Sequence, residues 1–164
     1  MVSHHEALPS RYAGRVLAVQ RAAYAVEAAL VGDDRIPALH EDLTSLQARP
    51  LRWLLADEPT VSGALGYERT DTTATIDRLV VDPARARRGV GRALVEELLR
   101  RTGETPVHVS TGRDNTPARR LYERLGFHRL GDREVLTGLW VTDYRSSPDP
   151  RPPASGAVGL VDDR

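Results

Sequence analysis

One segment restricts the fold more than any other: LVVDPARARRGVGRAL, residues 79–94. An apolar β-branched run ends at Val81 and a proline follows. Gly89 and Gly91 then open a helical stretch whose Val90, Leu94 and Leu98 share one face. A helix N-terminus leaves its first backbone N–H groups unpaired, and the helix dipole adds partial positive charge there. Glycines let a bulky anion approach the backbone. Arg85, Arg87, Arg88 and Arg92 add charge and paired donors. Strand, Gly-x-Gly and helix in this order make an anion site, and phosphate is the anion that suits it.

Two familiar phosphate sites do not fit. A P-loop needs Gly-Lys-Ser/Thr, and all 23 basic residues here are arginine. A dinucleotide fingerprint needs a third glycine where this chain has Leu94. A pyrophosphate site of another kind remains. Other classes lose ground on composition. Acidic and basic residues balance at 23 each, and no aromatic platform surrounds the arginines, which argues against nucleic acid as partner. There is no cysteine, hence no disulfide and no thiolate metal site, and His4, His5, His40, His108 and His128 show no metal-ligand spacing.

The 164 residues suit one domain. We expect a flexible N-terminus over 1–10, a domain over 11–145, and a flexible proline-rich tail over 146–164. Apolar spacing predicts a helix from Arg11 to Val31 stopped by Gly32, then a shorter helix marked by Leu39, Leu43 and Leu46. RWLLA, VSGALGYER and TATIDRLVV read as an antiparallel meander, followed by the glycine-loop helix. PVHVST is a buried strand, NTPARRLYERLGF a helix, and EVLTGLWVTDY one or two closing strands. The fold class is α/β (α+β): a mixed, mostly antiparallel sheet flanked by helices. No apolar run reaches bilayer-spanning length, and MVSHHEALPS lacks a basic-then-apolar leader, so a cytoplasmic, membrane-free location is expected.

LVVDPARARRGVGRAL resembles the acetyl-CoA-binding segment of the GNAT acetyltransferase superfamily, whose consensus is Arg/Gln-x-x-Gly-x-Gly/Ala. The glycines fall on Gly89 and Gly91; the first consensus position falls on Ala86, a departure, with Arg85, Arg87 and Arg88 around it. NTPARRLYERLGF is similar to the family's second CoA-side helix, with Asn115, Ala118, Tyr122, Gly126 and Phe127 in the pattern's places. The order of elements also matches.

The resemblance implies acetyl transfer from acetyl-CoA to a primary amine of a small molecule or peptide, by direct attack in a ternary complex and without a metal. It implies CoA contacts from Leu79, Val80, Val81, Arg87, Arg88, Gly89, Val90, Gly91, Arg92, Ala93, Asn115, Ala118 and Tyr122. Tyr122 is the candidate acid for the leaving thiolate, or else a packing residue. Asp77, on the strand entering the loop, is the candidate base, or else the partner of a surface arginine. Strand alternation would put Asp77, Leu79 and Val81 on one face. Glu27 is a second candidate base. Asn115 either holds the pantetheine arm or caps its own helix. Tyr24, Glu27, His40, Trp53 and Tyr67 are candidate acceptor-lining residues. A homodimer through the final strands is a further expectation. The alternative function is an acyl-CoA-binding sensor or interaction module without turnover.

Overall fold

The first helix begins one residue before its expected start. The computed structural model, which describes residues 1–147, places α1 at Ser10–Val31, directly after Pro9. Gly32 closes it in the left-handed conformation and donates its N–H to the Ala28 carbonyl. The second expected helix splits in two. Pro37–His40 forms a 3₁₀ turn, and α2 spans only Leu43–Ala48. The break falls at Asp42, whose carboxylate accepts the Ser45 N–H and starts a new helix.

Seven strands form one sheet in the order β1-β2-β3-β4-β5-β7-β6. They are β1 Val2–His5, β2 Arg52–Ala56, β3 Gly63–Arg69, β4 Ala74–Val81, β5 Val107–Gly112, β6 His128–Leu136 and β7 Leu139–Arg145. Every neighbouring pair is antiparallel except β4 and β5. That parallel step needs a crossover, which α3 (Val90–Thr102) supplies. The mixed sheet flanked by helices is the fold class the sequence indicated.

The N-terminus corrects an expectation. Val2–His5, inside the segment expected to be flexible, pair along β2 from Ala56 to Trp53. Ser3 Oγ donates to Asp57 Oδ2 at 2.8 Å, and His4 Nε2 lies 3.0 Å from the Tyr67 hydroxyl. Four half-buried residues offer no alternation to read, and their anchors lie far along the chain. Residues 148–164, most of the expected tail, lie outside the described residues.

Each sheet face carries its own core. Leu54, Leu65, Ile76, Leu94, Leu98 and Tyr122 pack beneath α3 and α4 (Thr116–Arg124). Val16, Val19, Leu46, Leu55, Ala64 and Val80 pack beneath α1 and α2. Trp53 and Tyr67, expected to line an acceptor pocket, belong to these cores and are 0% and 2% exposed. Large aromatic side chains in a sheet center gain most by full burial, which removes them from any pocket wall. Among the described residues no helix is long and apolar enough to cross a membrane.

Candidate active site

The site begins where the sheet opens. β4 pairs with β5 only from Ala74 to Ile76, against Val107 to Val109. Beyond that point β4 keeps its β3 partner as far as Val81, and β5 keeps β7 as far as Gly112. From Asp77 onward the facing backbones of β4 and β5 are therefore unpaired. Backbone N–H and C=O groups seek partners, so the gap suits an extended polar ligand.

A β-bulge accompanies the opening. Opposite β3, Gly66 pairs with Arg78 and Tyr67 with Ile76, which leaves Asp77 as the extra residue. A bulge re-aims side chains. Here it removes Asp77 from the face expected for it. Leu79 packs against the α3 side of the sheet, whereas the Asp77 carboxylate joins residues of the α1 side. Its Oδ1 accepts from Arg49 Nη2 at 2.8 Å and its Oδ2 from Arg78 Nε at 2.7 Å. Both oxygens of the candidate base are thus engaged by guanidinium groups. Arg78 is itself buried, and its Nη1 donates to Glu41 Oε1 at 2.6 Å and Gln20 Oε1 at 2.9 Å.

At the end of β4 the chain turns through a short 3₁₀ segment, Pro83–Arg85. Asp82 caps it by accepting the Ala84 N–H, and also accepts from Arg15 Nη2 at 2.7 Å. These bonds, the backbone one first, hold its carboxyl below the ordinary carboxylate range. Arg87 then sits at φ 65° and Gly89 at φ 81°. A left-handed arginine stores backbone strain, a feature that concentrates at ligand sites. Gly89 is the N-cap of α3 and has no side chain to bond the helix's free N–H groups. Arg87, Arg88 and Gly89 are exposed, and among the described residues Arg85, Arg87 and Arg88 form no ion pair. Arg92 is paired with Glu96 at 3.1 Å. Exposed N–H groups, a helix terminus and unpaired guanidinium groups fit a pyrophosphate.

The far wall of the gap comes from β5 and α4. Asn115 is buried, and its Oδ1 accepts the Ala118 N–H at 3.2 Å, so it does cap α4. Tyr122 is 3% exposed, with its ring edge-on to Phe127. Burial, reinforced by Tyr24 and Glu27, raises its hydroxyl well above the ordinary phenol range. Glu27 is half-buried. Burial raises its carboxyl, and a hydrogen bond from Asn115 offsets part of the rise. Tyr24 is raised by burial and then by Glu27. Glu27 and Asn115 meet on the β5 side of the gap, at Gly112.

Gly112 makes that meeting possible. A Cβ there would lie 2.8 Å from Val31 Cγ1 and 3.5 Å from Glu27 Oε2, so the second half of α1 rests directly on the β5 backbone. The sequence offered Gly112 only as a residue after an apolar run. Arg49, Glu41 and Arg78 escaped notice because nothing in their local pattern distinguishes them from surface charge. His40, a candidate contact, is exposed, and its ring Nε2 lies 2.8 Å from the Asp34 carbonyl in its own loop.

Comparison with known proteins agrees with this fold. Residues 20–127 match the acetyltransferase (GNAT) family. The chain belongs to that family. UPF0157 protein YqkA of Bacillus subtilis is 34% identical over 149 residues, which is 90% of this chain but 43% of that relative's length. Among solved structures, the ribosomal-protein-S18-alanine N-acetyltransferase of Escherichia coli superposes with TM-score 0.69 at 18% identity, covering 91% of this chain and 95% of its own. The PaiA N-acetyltransferase of Thermoplasma acidophilum, in complex with coenzyme A, gives TM-score 0.67 at 14% identity, covering 87% and 98%.

Proposed function

We propose that this chain transfers an acetyl group from acetyl-CoA to a primary amine, with both substrates bound together. The observation that supports this best is the opened β4–β5 gap, with an unpaired-arginine, glycine-capped helix terminus following β4 and a half-buried carboxyl, Glu27, on the β5 side. The pyrophosphate lies on the N–H groups around Arg88 to Gly91. The pantetheine arm pairs with the free edge of β4, and a β4 N–H near Val80 polarises the thioester carbonyl.

Glu27 takes the proton from the attacking nitrogen, since its raised carboxyl is the better base and Asp77 is already occupied by two guanidinium groups. The new N–C bond forms as the C–S bond breaks, and the electron pair leaves on sulfur. Tyr122 donates a hydrogen bond to that sulfur and keeps its proton. Its hydroxyl is held far above the ~8.5 of a thiol, so full transfer to the thiolate is uphill. The thiolate then leaves, or is protonated by solvent.

The test is calorimetric titration with acetyl-CoA, with and without Gly89→Glu, followed by a thiol-release assay against a panel of amines. The chain has no cysteine, so the thiol signal reports CoA alone. Micromolar binding lost in the variant, with amine-dependent thiol release, supports the reading. Absence of binding by the unaltered protein refutes it. Binding with no turnover of any amine favors the sensor alternative.

A further inference from the structure

The acceptor side carries an unusual helix segment. Residues 22–31 of α1 read AAYAVEAALV, with Glu27 as the one charged residue. A helix apolar on all sides is ordinarily buried. This one is not: no residue of α1 beyond Gln20 is buried, and Val26 and Leu30 are 49% and 47% exposed. The segment lies over the opened gap, with Val31 and Glu27 against Gly112.

Several charges around the same site are paired. Asp77 is matched by Arg49 and Arg78, and Glu41 by Arg78. Asp33 is matched by Arg35, whose Nη2 also donates to the Thr137 carbonyl at 2.8 Å in the β6–β7 turn. Glu27 differs. Among the described residues it has no cationic partner, and its bond is to the neutral Asn115. The mouth of the site therefore offers one negative group set in an apolar helix surface. Residues 22–31 themselves offer no guanidinium to receive a carboxylate and no second carboxylate to receive a second ammonium; Arg113, which follows Gly112, lies over the Trp140 ring.

We propose that the acceptor is a monoamine carried on an apolar group. Its single ammonium pairs with Glu27, and its apolar part lies along the second half of α1. This rests on the amine-acetyltransferase reading above. It excludes polyamines and free amino acids as preferred acceptors, because each would leave a second charge against apolar surface without a partner.

A matched acceptor series tests it by thiol release at saturating acetyl-CoA. From n-propylamine to n-hexylamine, kcat/KM should rise roughly fourfold per methylene, the equivalent of ~0.8 kcal/mol for burying each one. 1,6-Diaminohexane and 6-aminohexanoate have the same reach as hexylamine but end in a charge; each should fall at least tenfold below it. Leu30→Asp should flatten the chain-length series. A flat series in the unaltered protein overturns the proposal, and so does tolerance of either terminal charge. No turnover of any alkylamine, with acetyl-CoA still binding by calorimetry, also overturns this acceptor class while leaving the donor site in place. Failure to bind acetyl-CoA at all overturns the underlying reading instead.

Discussion

Arg78→Met should destabilise the protein strongly, although Arg78 lies in a region that the sequence presents as ordinary charged strand. Its side chain is 3% exposed and its guanidinium serves three segments at once. It holds Gln20 of α1, Glu41 ahead of α2, and Asp77 at the bulge of β4, at 2.9, 2.6 and 2.7 Å. Methionine keeps the stem and deletes the charge. Glu41 would retain only the Gln20 amide at 3.0 Å, and Asp77 would retain Arg49 at 2.8 Å. Removing one member of a buried ion pair costs ~3–5 kcal/mol, and the surviving partners place this case near ~3 kcal/mol. For a domain of this size, ~2–4 °C is lost per kcal/mol, so Tm should fall by roughly 6–12 °C. Differential scanning calorimetry at neutral pH reads this directly. Adding Glu41→Gln should recover part of the loss, because the two residues share one network. A Tm loss under about 2 °C would show that the network is not what joins these elements.

Three further outcomes are expected. Glu27→Gln should slow amine acetylation and, with an acceptor amine already neutral across the range, abolish the rising acid limb of kcat/KM. Because the folded carboxyl is raised, the unaltered protein loses stability as pH rises through that range and the variant does not; urea titrations at pH 4 and pH 7 should show the gap growing with pH in the variant's favor. Tyr122→Phe should lower kcat by on the order of 100-fold, with the calorimetric affinity for acetyl-CoA largely kept; a kcat change under threefold would remove Tyr122 from the chemistry. Arg87→Gly relieves a left-handed side-chain residue and should preserve or raise Tm while weakening acetyl-CoA binding, most visibly at low salt; unchanged affinity at low salt would mean that this guanidinium does not meet the phosphates.

What the sequence displayed, and what it hid, follows from the range of the interactions. The phosphate-loop segment was legible because its signals are local: an apolar run, a proline, glycines with special backbone freedom, then helical spacing. The α4 pattern was legible for the same reason, with Asn115, Pro117 and Gly126 marking its limits. Asp77 shows the opposite case. Read by alternation, it shares a face with Leu79. One extra residue at the bulge cancels that rule, and bulges carry no reliable local signature when the extra residue is not glycine. The strand at Val2–His5 was hidden likewise, since side-chain bonds to Asp57 and Tyr67 reinforce it from afar.

The same displacement separates two carboxylates that composition treats alike. Asp77 lies where arginines from β4 and the end of α2 converge, so its charge is spent on holding the acceptor-side segments to the sheet. Glu27 lies where α1 meets a glycine on β5, close enough to lose water but not close to any cation among the described residues. Desolvation without a countercharge raises a carboxyl, and a raised carboxyl beside an open gap is suited to accepting a proton. Exchanging the two environments would therefore exchange the roles. Removing Asp77 should be read out mainly in Tm and removing Glu27 mainly in the pH profile of turnover; a variant pair that reversed these two readouts would return the base assignment to β4.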